Sequence, residues 1–437
     1  MIRFLATLTL GLFIALPAKA AVEIEEVTSP GGITAWLVEE HSIPFAAIEI
    51  RFKGGGSLDA EGKRGATNLM MALLEEGTGD MDARDFAAAR EALAASYEFD
   101  TYDDSITVSA RFLTENRDES VELLRKALIE PSFTQDAIDR VRAQVLANIR
   151  SNAQDPRRIA NRAFDAAAFG DHPYGSPLSG TLESVAALTR DDVVEAKART
   201  MTRDRVYVGA VGDITAEELG TLLDDLLGDL PEEGAPLPDD VDFIPEGGVQ
   251  VVPFNTPQSV AVFGHEGITR DDPDFFAAFV LNQILGAGGF ASRLTEEVRE
   301  KRGLTYGIST HLVPLDHAEL YIGQVASAND RIAEAIEVVR DEWRRMAEEG
   351  VTEQELQDAI TYLTGAYPLR FDGNGPIANI LVGMQKEGLG IDYITTRNDK
   401  IEAVTQEDVA RLAKRLLDPD GLYFVVVGQP EGLESTN

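Results

Sequence analysis

Five histidines and no cysteine make up the whole stock of imidazole and thiolate metal ligands in this 437-residue chain. His41, His172, His265, His311 and His317 are scattered, and the nearest to clusters are His265-Glu266 and the pair His311 and His317. That pair is six residues apart across Pro314, a spacing that aims two ligands at one metal from neither a helix nor a plain strand. Each therefore reads as an ordinary turn or surface histidine. Without cysteine there is no thiolate site, disulfide or cysteine nucleophile, and no Gly-x-Ser-x-Gly elbow presents a serine. Arg299 and Tyr306 stand seven apart in Val298-Arg299-Glu300-Lys301-Arg302-Gly303-Leu304-Thr305-Tyr306. By themselves they describe the end of an amphipathic helix, a Gly303 cap and an entering strand, with Arg299 solvated and Tyr306 half-buried.

The elements that must position these residues come in two copies. Residues 187–212, slid forward by 216, land on 403–428 without a gap. Nine columns are identical: Ala187/Ala403, Thr189/Thr405, Asp192/Asp408, Val193/Val409, Arg199/Arg415, Asp204/Asp420, Tyr207/Tyr423, Val211/Val427 and Gly212/Gly428. In each copy a threonine can cap a helix whose first turn holds an aspartate, and a turn and a strand follow. A stretch rich in proline, glycine and acid, 231–245, separates the copies into halves of 21–230 and 246–430. In the first half, strands are expected at 34–38, 46–52, 97–102 and 105–112, then helices at 116–130, 134–152 and 157–169. The second half repeats the order: strands at 248–252 and 259–264, a helix at 273–285, a hairpin within 306–325 and long helices from 330 onward. Strand pairs followed by helical runs predict an α+β chain of two duplicated, structurally similar α/β sandwich domains, each an antiparallel-rich sheet packed by long helices.

Residues 1–20 stand outside that pattern. Arg3 opens them, an apolar run at 4–16 is too short to span a bilayer, and Pro17 precedes Ala18-Lys19-Ala20. These features predict a signal peptide cleaved after Ala20 and an exported, periplasmic protein without a membrane anchor. Removing Arg3 and Lys19 leaves 37 basic residues against 75 acidic, a formal net charge of −38. Such a surface repels nucleic acid and anionic membranes and attracts basic peptides.

Several motifs then fall in a telling order. His41-Ser42-Ile43-Pro44 leads into a strand, followed by Gly54-Gly55-Gly56-Ser57, Gly62-Lys63-Arg64-Gly65 and an apolar helix ending at Gly77-Thr78. Phe169-Gly170-Asp171-His172-Pro173-Tyr174-Gly175 and Gly180-Thr181 come next, then Leu285-Gly286-Ala287-Gly288-Gly289-Phe290-Ala291-Ser292-Arg293-Leu294 and Leu304-Thr305-Tyr306. In order and spacing the chain resembles the insulinase/pitrilysin family of zinc metallopeptidases, in its two-domain, mitochondrial-processing-peptidase-like branch. Active members carry His-x-x-Glu-His on the helix after the first strands, two histidines on one helical face with a glutamate as base. A further glutamate ligand follows about 75 residues downstream.

The resemblance places Asn68 at the first histidine, Met71 at the glutamate, Ala72 at the second histidine and Asn148 at the downstream ligand. None of these is a zinc ligand or a base. The resemblance therefore implies a non-catalytic subunit with no metal cofactor of its own, inactive alone, with zinc in a homologous partner. It also implies that Arg299 and Tyr306 face the partner's zinc across a chamber, half of a clamshell, to bind substrate backbone and stabilise the tetrahedral intermediate. A fixed-charge fork and a phenolic donor suit that task. Gly286, Gly288 and Gly289 are weaker substrate-binding candidates, against a plain reading as a flexible connection. The expected function is the substrate-binding subunit of a heterodimeric peptidase acting on peptides or unfolded chains. A purely structural or peptide-binding homologue is the alternative.

Overall fold

The computed structural model describes residues 23–436. The expected signal peptide, 1–20, lies outside the described residues. The first sheet is built from β1 (Glu25–Thr28), β2 (Thr34–Glu39), β3 (Phe45–Lys53), β4 (Ser96–Thr101), β5 (Ser105–Leu113) and β6 (Val206–Gly212), in the order β1-β2-β6-β3-β5-β4. The second is built from β7 (Gly248–Pro253), β8 (Gln258–Glu266), β9 (Ile308–Pro314), β10 (Glu319–Ala328) and β11 (Tyr423–Gly428), in the order β9-β10-β8-β11-β7. Read from its other edge, the second sheet repeats β2-β6-β3-β5-β4 as β7-β11-β8-β10-β9. Each sheet has one parallel pair at the matching place, β2 with β6 and β7 with β11, and is otherwise antiparallel. The duplication read from nine identities is thus a duplication of topology.

The helices repeat as well. Those used below are α1 (Ala66–Leu73), α2 (Gln135–Asn152), α3 (Pro156–Phe169) and α4 (Arg190–Thr200) in the first half, and α5 (Phe275–Asn282), α6 (Ile332–Glu349), α7 (Glu353–Ala366), α8 (Asn374–Lys386), α9 (Tyr393–Glu402) and α10 (Gln406–Leu416) in the second. α4 and α10 begin with the same reciprocal cap: the Thr189 and Thr405 hydroxyls accept from the third helical N–H, and Asp192 and Asp408 accept from the threonine N–H in return.

The halves are not independent layers, because each lends a helix to the other. α3 of the first half packs on β8 and β11 of the second sheet, seating Ala160, Phe164 and Ala168 against Val262, Val425 and Val427. α8 of the second half packs on β6 and β3 of the first, seating Ala378, Leu381 and Met384 against Trp36 and Val211. Glycine permits the close approach. A Cβ on Gly209 would lie 2.6 Å from the Ala378 carbonyl oxygen, and one on Gly264 would lie 3.2 Å from the Phe164 ring. A polar junction joins the same halves. The Tyr174 hydroxyl donates to Asp104, Asp316 N donates to Asp104 Oδ2 at 3.0 Å, and Lys386 pairs with Asp316. The 231–245 segment carries no helix or strand, yet its N–H groups at Ala235, Val241 and Ile244 bond Arg199, His317 and Ala168 carbonyls.

Two expectations need correction. The helix expected at 273–285 ends as α5 at Asn282 and widens into a π-helical turn, Gln283–Ala287. There Gly286 presses on β9, where a Cβ would lie 2.2 Å from Thr310 Oγ1, so Gly286 is a packing glycine and not part of a flexible connection. Tyr306 is not a half-buried strand residue. β9 starts only at Ile308, and Tyr306 is 86% exposed. The cause is Thr305, whose buried hydroxyl donates to Ala326 O at 2.6 Å and accepts from Gly307 N at 3.0 Å, turning the next side chain outward.

Candidate functional site

α1 is the helix on which a metal would be held. Gly65 starts it at φ 95, where a Cβ would lie 2.7 Å from the Ser179 carbonyl oxygen. Asp59 caps it, accepting from Gly65 N at 2.7 Å and Thr67 N at 2.8 Å. Asn68 points from this helix into a cavity of about 680 Å³ closed by the end of α2, by α3 and by residues 176–180. Met71 is turned the other way, 1% exposed in the first hydrophobic core. Ala72 is exposed and offers only a methyl group, and Asn148 is exposed on α2 while Ile149 beside it lines the cavity. Of the four positions, Asn68 alone lines the cavity. An amide, a buried thioether and a methyl group do not make a zinc donor set, and no group of three or more His, Cys, Asp or Glu side chains gathers among the described residues. The residues present do not fit the metal.

The same cavity holds a group that sequence reasoning missed. Asp165, half-buried on α3, has no hydrogen-bond partner among the described residues. Burial, with the charge of Asp103 nearby, pushes its pKa up to about 7. A lone aspartate in an alanine-rich helix carries no sequence signal, because its character comes from the cavity it overlooks.

In the second half the structure brings Arg299 to the glycine-rich segment. Arg299 sits in a second π-helical turn, Thr295–Glu300, with Cζ 4.6 Å from the Phe290 ring centroid. Phe290 is held out 74% exposed by Gly289, which turns at φ 56. Gly288 is fixed differently, since a Cβ there would lie 2.5 Å from Gln283 O. Gly303 N bonds Arg299 O at 2.8 Å and Leu304 N bonds Val298 O at 2.9 Å, which closes the turn and leads the chain past Tyr306 into β9. The only ion pair of Arg299 among the described residues is with its neighbour Glu300, at 3.3 Å, an exposed contact of little worth. The result is a cation, an exposed phenyl ring and an exposed phenol on adjoining turns, a surface with both apolar contact and hydrogen-bond donors for a peptide backbone.

The histidines behave as turn, surface and core residues. His265 is buried, its Nε2 accepts from Trp343 Nε1 at 3.0 Å and its Nδ1 bonds Glu266 O at 2.6 Å, an arrangement that fixes a neutral ring. His41 lies exposed between Asp213 and Glu39, His311 is exposed, and His172 and His317 flank Tyr174 at the junction of the halves.

Comparison with known proteins bears on both halves. Residues 35–182 match the insulinase (peptidase family M16) domain, and residues 187–363 match the peptidase M16 inactive domain. The chain is 27% identical over 426 residues to the non-peptidase homolog YmxG of Helicobacter pylori, covering 97% of this chain and 98% of that one. It is 26% identical over 409 residues to an uncharacterized zinc protease of Streptomyces coelicolor, covering 90% of this chain and 87% of that one. The crystal structure of a peptidase M16 inactive domain from Pseudomonas fluorescens superimposes with a TM-score of 0.88 at 26% identity, over 94% of this chain and 100% of that one. A protease from Helicobacter pylori shares the fold, with a TM-score of 0.83 at 17% identity over 93% of this chain and 99% of that one.

Proposed function

Since this chain belongs to the insulinase (M16) family and carries none of the four zinc-site side chains, we propose that it is the non-catalytic, substrate-binding subunit of a periplasmic heterodimeric zinc metallopeptidase. The reading rests on one contrast. Asn68, Met71, Ala72 and Asn148 leave the first half without a zinc site, while the second half presents Arg299, Phe290 and Tyr306 with no strong partner among the described residues. A zinc-bearing homologue supplies metal and base, and this chain supplies backbone donors and half of an enclosing chamber. In that role the Arg299 guanidinium and Tyr306 hydroxyl act where negative charge develops on the attacked carbonyl. Export through residues 1–20 places the pair in the periplasm, where peptides and unfolded segments are the substrates.

The test is to co-express the chain with a zinc-bearing homologue and measure peptide hydrolysis. Arg299→Ala and Tyr306→Phe should each lower kcat by about 10²-fold, the cost of one oxyanion donor, with the complex intact. Unchanged kcat in both variants would sink the proposal and leave a structural or peptide-binding homologue.

A further inference from the structure

The cavity beneath Asn68 has a counterpart in the second half. Shifted by 216, the end of α2, α3 and the loop after it become the 3-10 turn after α7 (Tyr367–Arg370), α8 and α9, and these with α5 line a cavity of about 430 Å³ that reaches Arg51 on β3. The two cavities thus sit at comparable places in the two copies, and their linings differ. The second is walled by Arg51, Arg270, Arg370 and Arg397 with a single carboxylate, Glu387, whose Oε1 lies 3.4 Å from Lys386 Nζ. In a chain with 75 acids to 39 bases, a lining chosen at random would be acidic.

Arg51 pairs with Glu49 at 3.7 Å and donates to Asn379 Oδ1 at 2.7 Å, whereas the other three have no carboxylate partner among the described residues. Arg397 is only 6% exposed, and its guanidinium donates to Leu363 O at 3.3 Å and Asn398 Oδ1 at 3.0 Å, both neutral. It stacks 4.2 Å from the Tyr367 ring centroid and 5.6 Å from that of Phe279. Arg270 donates to the Tyr393 hydroxyl at 2.8 Å and lies 4.4 Å over Phe275. Arg370, exposed at the end of the 3-10 turn that follows α7, makes no ion pair or hydrogen bond with any described side chain. Among the described residues none of the three has a carboxylate within 4.0 Å. Arginine cannot shed its proton to escape burial, so a buried guanidinium without an anion is costly unless a ligand brings one. Aromatic walls and guanidinium forks lining one cavity fit a planar carboxylate attached to an apolar group.

We propose that this cavity is a subsite for a peptide carboxylate, gripped by Arg270, Arg370 and Arg397 with the adjoining side chain held against the aromatic walls. The subsite rests on the peptide-binding reading above and gives it a polarity: a substrate is anchored by an acidic end or side chain in the second half. The long-range field of the chain repels anions, so uptake of a carboxylate here is a local property of the cavity.

The test uses the purified chain without a partner, and fluorescence anisotropy of three N-terminally labelled nonapeptides: one ending in Phe with a free carboxylate, the same peptide amidated, and an amidated peptide with glutamate before the terminal Phe. The free acid should bind at least about tenfold more tightly than the plain amide, the loss of one charge-assisted contact. Arg370→Gln, at an exposed position, and Arg397→Lys, which keeps charge but loses the fork and the stack, should each remove most of that difference. Rescue of the amide by the internal glutamate would identify a side chain as the source of the carboxylate; no rescue would identify the chain terminus. Equal binding of acid and amide would overturn the proposal. So would an Arg397→Lys variant that loses thermal stability while the acid preference survives in both variants, since the stack would then be only a clasp between helices. This outcome is independent of the hydrolysis test, which reads Arg299 and Tyr306.

Discussion

If each half lends a helix to the other, the chain must unfold as one unit, and Phe164→Ala tests this directly. Phe164 belongs to the first half in sequence but is fully buried against the second sheet, with ring centroids 6.0 Å from Phe243 and 6.2 Å from Tyr423. Truncating a phenylalanine in such a setting costs about 4 kcal/mol, the transfer of the ring plus the void left behind. With a urea m-value of about 4 kcal/mol/M for a chain this long, the midpoint falls by about 1 M. The sequence supplies the probes, since it has two tryptophans. Trp36 lies in the first sheet among α8 residues, and Trp343 lies in the core of the second half. Single-tryptophan versions, Trp36→Phe and Trp343→Phe, then report one half each by fluorescence. Coincident transitions are expected in the parent, and both should move together in Phe164→Ala. Transitions already separate in the parent, or a shift seen by one tryptophan alone, would refute the coupling and return the halves to independent folding units.

Three further outcomes follow from particular contacts. Glu355 forks Arg293 at 2.5 and 2.7 Å, and although burial pushes its pKa up, the hydrogen bonds from Arg293 and Thr352 outweigh this and hold it at about 2. That depressed value stabilises the fold above the ordinary carboxylate value of 4.5 and is lost as pH falls toward 2; Glu355→Gln should cost about 2 kcal/mol at pH 7 in urea unfolding, and the gap to the parent should narrow at pH 3. Treating the isolated chain with EDTA should leave its Tm within about 1 °C in a thermal scan, because no metal-ligand group gathers among the described residues; a larger fall would reveal a metal site of another kind. Arg299→Ala and Tyr306→Phe should change stability by no more than about 0.5 kcal/mol in urea unfolding, as Tyr306 is exposed and the only ion pair of Arg299 among the described residues is with Glu300, so any loss of hydrolysis belongs to the site; a larger loss would make them structural.

What could be read from the sequence was what is local. The caps of α4 and α10 are each set by a threonine and an aspartate three residues apart, and identical spacing 216 residues later made the repeat visible before any packing was known. Side-chain chemistry was equally plain: Met71 and Ala72 cannot serve a zinc ion in any fold. Direction and environment were not legible, because they are set by distant residues. Tyr306 points outward because Thr305 is tied to Ala326, twenty-one residues on. Asp165 titrates near neutrality because α3 places it over a cavity closed by α1 and α2. Arg397 is one of 39 basic residues, and nothing near it in the sequence says that Tyr367 and Phe279 enclose it away from any carboxylate. Asp165 and Arg397 share a cause with the exchange of α3 and α8. Once a half is duplicated and each copy must cover the other's sheet, the cavities beside the exchanged helices are bounded by segments far apart in the chain. Their polar lining can then change without disturbing either sheet, since α1 and α5 keep their apolar faces in their own cores. The first cavity is lined by Asn68 and Asp165 and the second by four arginines, on two sheets of matching topology.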